Sequence, residues 1–195
     1  MTGNHEDRHR PVAAAVREAR PEDHERLCAL FAELDRFHRE ARPDVFAPPP
    51  PGGQPVRSPE YLAGLLGDGG RSTILVAECG GGELVGLAVL VERAAPASPV
   101  RPARRFVEVE NLGVAERHRG AGIGRLLMRH VELWARGRGV DALELSVWEF
   151  NRGALAFYEG LGFETATRRM TRRLGEAGPP PDLSPAAPPP GPAGR

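Results

Sequence analysis

The chain has 195 residues, a formal net charge of zero and a 41% hydrophobic fraction, enough for one domain with a sizeable core. No apolar run reaches the ~18 residues of a membrane span, and a balanced charge gives no electrostatic case for a nucleic-acid or membrane partner. The 26 basic residues are all arginine, and Cys28 and Cys79 stand far apart without metal-ligand spacing, so both read as ordinary thiols of a reducing cytoplasm.

Residues 1–10 are charged and lack the apolar core of a signal peptide, so they are expected to form a loose leader. Val12 to Arg20 reads as a first strand. Pro21, Glu22 and Asp23 open a helix, with proline at a tolerated first position and acids beside the positive end of the dipole. Leu27, Leu30, Phe31, Leu34 and Phe37 give that helix one apolar face. Pro43 and Pro48 to Pro51 break the chain, and a short helix follows from Ser58, its N-cap, to Leu66.

Ser72 to Cys79 and Leu84 to Arg93 are apolar, β-branched runs joined by Gly80-Gly81-Gly82, the pattern of a hairpin. A loop with three prolines, Ala94 to Arg104, leads to a strand from Phe106 to Val114. The next helix spans 122–136, with Ile123, Leu127, Val131 and Trp134 on one stripe that reads as core packing. Gly137 and Gly139 end it, and Val140 to Trp148 is the following strand. Residues 175–195 are rich in proline, glycine and alanine with almost no large apolar side chain. Such a segment cannot offset its ordering entropy and is expected to be a disordered tail. The domain proper is thus expected over 11–174.

The junction before the 122–136 helix reads Arg119-Gly120-Ala121-Gly122-Ile123-Gly124-Arg125. Three glycines are costly in a helix, so close approach of a ligand to the backbone is the expected reason for them. A helix N-terminus with unpaired N–H groups favours an anion such as a phosphate. A P-loop needs a lysine after its glycines, and this chain has no lysine. The dinucleotide fingerprint G-x-G-x-x-G fails, because its last position holds Arg125 or Leu127.

What matches is R-x-x-G-x-G, read at Arg119, Gly122 and Gly124. Upstream stands Glu110-Asn111-Leu112-Gly113-Val114, and downstream Asn151-Arg152-Gly153-Ala154-Leu155-Ala156-Phe157-Tyr158-Glu159-Gly160-Leu161-Gly162-Phe163. These three segments, in this order, resemble the acyl-CoA signature, the fourth strand and the N-x-x-A-x-x-F-Y-x-x-x-G-F segment of the GCN5-related N-acetyltransferases, the GNAT superfamily. The resemblance implies an α/β fold of order β-α-α-β-β-β-α-β-α-β. Its mixed sheet splays between the fourth and fifth strands, and a last strand follows Phe163.

It also implies acetyl-CoA as co-substrate, a primary amine as acceptor and direct attack in a ternary complex. Gly120, Gly122, Gly124, Arg119 and Arg125 would hold the diphosphate, Asn151 the CoA arm, and the backbone N–H of Leu112 or Val114 the thioester oxygen. An oxyanion donor of that kind is worth about 2.7–4 kcal/mol of barrier. Tyr158 is the candidate acid for the leaving thiolate, since a phenol of reference pKa about 10 is still protonated at neutral pH. Glu108 and Glu110 alternate onto one strand face, and such a pair pushes one pKa upward, which suits a base. Glu110 is the first choice and Glu108 the second.

His38, at the end of the first helix, reads as structural or surface. His118 and His130 are expected to face solvent, and no set of His, Cys or carboxylates suggests a metal. The acceptor is a small-molecule amine or the amine of a peptide or protein, and residues 38–60 and 94–104, which would select it, carry no readable code. An acyl donor other than acetyl-CoA, or an acyl-CoA-binding module without catalysis, fits the same glycine turn. Homodimers are common in the family, but no motif here demands one.

Overall fold

In the computed structural model, residues 13–50, 52, 57–66 and 68–172 are described. The expected leader and tail therefore lie outside the described residues. The chain divides into two compact units, residues 1–152 and 153–195.

The first unit is built on a five-stranded sheet of order β1-β2-β3-β4-β5. The strands are β1 (Ala15–Glu18), β2 (Ser72–Cys79), β3 (Glu83–Ala95), β4 (Arg104–Val114) and β5 (Leu143–Leu145). The first four pair antiparallel in sequence order, and β5 joins β4 in parallel. Helices α1 (His24–Ala41), α2 (Pro59–Leu66) and α3 (Ile123–Arg136) complete this unit, and α4 (Arg152–Glu159) leads into the second.

Every residue of β3 from Leu84 to Leu90 is buried, the run expected of a strand covered on both faces. Leu87 and Val89 join Leu27, Leu30 and Phe31 of α1 in one core. On the other face a Cβ at Gly86 would stand 3.1 Å from Leu127 and 3.3 Å from Ile123 of α3. Gly113 of β4 lies opposite Leu87, and a Cβ there would meet the Leu34 side chain of α1 at 2.7 Å. A glycine at that point sets how closely α1 seats on the sheet.

The helix start at Pro21 holds more than the dipole argument supplies. Pro21–Asp23 is a turn of 3-10 helix before α1, and the Asp23 side chain is only 1% exposed. Its carboxylate accepts from Arg17 at 2.7 Å and 3.0 Å, from Arg26 at 2.5 Å and from the Arg20 backbone N–H at 2.8 Å. Arg17 also reaches Glu78 on β2. Asp23 thus ties the first strand, the first helix and the second strand together.

Several boundaries move. The first and fifth strands are shorter than their apolar runs, because pairing partners exist only over Ala15–Glu18 and Leu143–Leu145. The expected strand after Phe163 is not formed: residues 163–172 have no regular structure. From Glu164 to Arg172 the side chains are exposed and mostly polar or charged, so no apolar alternation drives them onto a sheet face. Phe37 leaves the core face of α1 and joins an aromatic cluster described below.

Candidate active site

The sheet opens along β4. Val107 donates its N–H to Ala142 O at 2.9 Å, and the pairs Val107↔Leu143, Glu108↔Glu144 and Val109↔Leu145 complete the ladder with β5. Beyond Val109, β4 runs on to Val114 with no β5 residue beside it. This is the splay between the fourth and fifth strands.

A bulge sits at the start of the open stretch. Val109 faces Leu90 and Asn111 faces Val89, so Glu110 is an extra residue on β4. An extra residue reverses the alternation of backbone groups along a strand. After it, Ala115 donates to Val85 O on the β3 side at 2.9 Å. By alternation Leu112 and Val114 turn their N–H groups away from β3, toward the side that β5 has left. Both are the residues singled out from the sequence.

After β4 comes a 3-10 turn, Glu116–His118, then the glycines. Gly120 has φ 81° and Gly122 φ 82°, values that side chains with a Cβ rarely adopt. Among the described residues, apart from the chain neighbours, no atom lies within 4 Å of where either Cβ would stand. The glycines are therefore demanded first by backbone conformation, with open space beside them. Gly122 is the N-cap of α3 and offers no side-chain cap. The first helical bond runs from Leu126 N–H to Gly122 O at 3.0 Å. The N–H groups of Ile123, Gly124 and Arg125 consequently have no acceptor one turn back, the arrangement that suits a diphosphate. Arg119 is exposed and donates through Nε to Val114 O at 3.2 Å, and Arg125 is exposed as well. The α3 stripe is buried as expected, with Met128 and Ala135 added.

Glu108 and Glu110 do share a face, but not as a bare pair of like charges. Arg93 of β3 bridges them, Nε to Glu108 at 2.8 Å and Nη2 to Glu110 at 2.6 Å. The pairing holds the guanidinium proton more tightly, chiefly through the Glu108 hydrogen bond. The mutual repulsion inferred from sequence is thus offset by a cation from the neighbouring strand. Glu110 is 28% exposed and Glu108 34%.

Asn151 directly precedes α4, with its N–H bonded to Trp148 O at 2.8 Å. In the second unit, Tyr158 lies on α4 with its ring edge-on to Phe157 and Phe163, at centroid distances of 5.3 Å and 5.6 Å. Burial pushes its phenol up to about 12, so the group stays protonated throughout the neutral range. That is the state an acid requires.

Two groupings escaped the sequence. Phe37 and His38 from the end of α1, Phe46 from the following loop, and Trp148 and Phe150 after β5 form one aromatic cluster. His38 Nδ1 lies 2.8 Å from Leu34 O, and Trp148 remains 41% exposed. The Arg42 guanidinium lies 6.0 Å above the Trp148 ring. The only signal in the chain was aromatic residues flanking a proline-rich loop, which has no helical or strand period. The second grouping is Cys79, Glu83 and His118, whose potential ligand atoms lie within 4.8 Å of one another. His118 is therefore half-buried against Glu83 and does not face open solvent. His130 is also half-buried, with Nδ1 3.0 Å from Leu126 O.

Residues 34–163 match the family model of the Acetyltransferase (GNAT) family. The chain belongs to the GNAT family. Among curated relatives, the streptothricin acetyltransferase of Streptomyces lavendulae is 36% identical over 100 residues, 51% of this chain and 49% of that protein. The N-acetyltransferase 8F1 of Rattus norvegicus is 32% identical over 90 residues, 46% of this chain and 39% of its own. The chain thus spans half or less of these relatives' lengths. Among solved structures, a tetramutant of the BH1408 protein of Bacillus halodurans superposes with a TM-score of 0.76 at 29% identity, covering 82% of this chain and 99% of that one. The glucosamine-6-phosphate N-acetyltransferase of Arabidopsis thaliana shares the fold at a TM-score of 0.60 and 16% identity. Among the described residues no helix is long and apolar enough to cross a membrane.

Proposed function

We propose that this GNAT protein transfers the acetyl group of acetyl-CoA to a primary amine by direct attack. The observation that carries this reading is the open half of β4, where the Leu112 and Val114 N–H groups turn to the unpaired side, continuing into a turn that leaves the first N–H groups of α3 free. Gly120, Gly122 and Gly124, with Arg119 and Arg125, hold the diphosphate, and Asn151 contacts the CoA arm. Leu112 or Val114 donates to the thioester oxygen as negative charge grows there.

The amine nitrogen attacks the thioester carbon, a C–N bond forms and the C–S bond breaks. Tyr158 gives its proton to the departing sulfur. The ammonium form of the acceptor must first lose a proton, and Glu110, directly or through water, accepts it, with Glu108 as the second candidate. Arg93 occupies an oxygen of each carboxylate, so proton transfer to Glu110 requires the Arg93–Glu110 contact to loosen. No cysteine acyl-enzyme is needed.

A cationic acceptor suits the aromatic cluster of Phe46, Trp148 and Phe150. Arg42 already places a cation above Trp148, and aromatic faces attract ammonium groups by about 0.5–2 kcal/mol. The acetyltransferase names of the curated relatives support the acetyl transfer itself.

The test is CoA release from acetyl-CoA across polyamines, aminoglycosides, amino acids and short peptides, with Tyr158→Phe beside wild type. Release with one amine class is expected, with kcat lowered about 10²–10⁴-fold in the variant and the KM for acetyl-CoA nearly unchanged. A variant that turns over like wild type removes Tyr158 from the mechanism. Acetyl-CoA binding with no release to any amine favours the binding-module reading.

A further inference from the structure

The turn joining β2 to β3 brings a thiol and a carboxylate together. Cys79 and Glu83 are register partners across Gly80-Gly81-Gly82, and Cys79 Sγ lies 3.8 Å from Glu83 Oε2. Thirty-five residues later, the 3-10 turn after β4 carries His118 to the same place, with Nε2 3.3 Å from Glu83 Oε1. That turn is itself held, His118 N–H to Ala115 O at 2.8 Å. All three side chains are half-buried, so they are neither core residues nor freely waving surface groups.

We propose that Cys79, Glu83 and His118 form a binding site for a single divalent cation of the zinc class, completed by a water molecule. Zinc bonds of about 2.0–2.3 Å in a tetrahedron separate neighbouring ligand atoms by roughly 3.3–3.8 Å. Cys79 Sγ and His118 Nε2 each lie at such a distance from one oxygen of Glu83, Oε2 and Oε1 respectively, and with one ligand atom per residue all three lie within 4.8 Å of one another. The mixture of one sulfur, one imidazole nitrogen and one carboxylate oxygen favours zinc over magnesium or calcium, which take oxygen donors. Burial holds the Cys79 proton on, as does the neighbouring Glu83 charge. Binding therefore releases that proton to solvent as the sulfur–metal bond forms.

Arg117 is the in-built competitor. It pairs with Glu83 and lies 3.2 Å from His118 Nε2 through its Nε, yet it is largely exposed and free to swing outward. Metal and guanidinium thus compete for Glu83. Occupation by metal ties the chain just before Arg119 and Gly120 to the β2–β3 turn and so fixes one end of the glycine-rich segment. This inference stands on Cys79, Glu83 and His118 alone and does not depend on the acyl-transfer reading.

The test titrates metal-stripped full-length protein with Co²⁺ and, by competition with a chromophoric chelator, with Zn²⁺. The expected result is a single site with a thiolate-to-cobalt charge-transfer band. Cys79→Ser abolishes the band and Cys28→Ser leaves it. Glu83→Gln and His118→Gln weaken zinc binding at least about tenfold, and Arg117→Ala binds as tightly as wild type or more so. Circular dichroism establishes that each variant is folded. A band that persists in folded Cys79→Ser overturns the assignment. So does its absence from both wild type and Arg117→Ala at saturating cobalt, which leaves the cluster as an ion pair only.

Discussion

Two arginine–carboxylate clusters in the first unit look alike on paper and differ in what surrounds them. At the start of α1, Asp23 is 1% exposed and takes hydrogen bonds from Arg17, Arg26 and the Arg20 backbone. Where β4 begins to open, Arg93 spans Glu108 and Glu110 with all three side chains between 28% and 45% exposed. Burial makes the first cluster structural, because a charge stranded there has no water to turn to. Solvent access leaves the second free to exchange partners and protons, which is what a reacting site needs. The same residue types therefore give rigidity in one place and, in the proposed mechanism, chemistry in the other.

The largest effect is expected where burial is deepest. Removing its main partner with Arg17→Ala leaves the buried Asp23 carboxylate short of two hydrogen bonds and is expected to cost about 3–5 kcal/mol, read from urea denaturation midpoints. A loss below about 1 kcal/mol would erase the distinction between the clusters. Next comes chemistry at the open cluster. Glu110→Gln is expected to lower kcat/KM about 10²-fold or more with the responsive amine, with little change in denaturation midpoint. An unchanged rate from about pH 6 to 9 would remove Glu110 as the base.

Acid response sharpens the contrast further. Arg17 holds the Asp23 carboxyl below its ordinary value, with the Arg20 N–H and the other charges contributing. A group depressed in the folded state stabilises the fold above its unfolded pKa of about 3.9 and loses that contribution as pH falls through the folded value. Wild-type stability should therefore drop steeply below about pH 4, and Asp23→Asn should flatten that slope. The smallest effect is Arg93→Ala, expected to change stability by no more than about 1 kcal/mol because the pairs are solvent-screened. Its signature is kinetic: kcat/KM with the responsive amine should rise, because Glu110 no longer has to part from a guanidinium, while the denaturation midpoint barely moves.

The glycine-rich turn was legible because its reason is local. Gly120 and Gly122 need positive φ, and a helix that starts without a side-chain cap exposes N–H groups wherever it occurs in a fold. Buried runs such as Leu84 to Leu90 were equally clear, since a strand covered on both faces must be apolar throughout. The last expected strand was not legible, because the motif ends at Phe163 and the polar residues after it carry no sheet pattern. Arg93 was missed for a different reason. Fifteen residues separate it from Glu108, and only antiparallel pairing of β3 with β4 brings them together.

By itself, then, the sequence determined the family, the glycine-capped helix, the apolar strands and the acidic residues of β4, all of them properties of contiguous residues. The tertiary structure alone decided which charges are buried, where β5 leaves β4, how the bulge at Glu110 turns the Leu112 and Val114 N–H groups, and that Cys79, Glu83 and His118 meet. Those are contacts between segments distant in the chain, and their geometry depends on strand register and helix seating that no local pattern encodes.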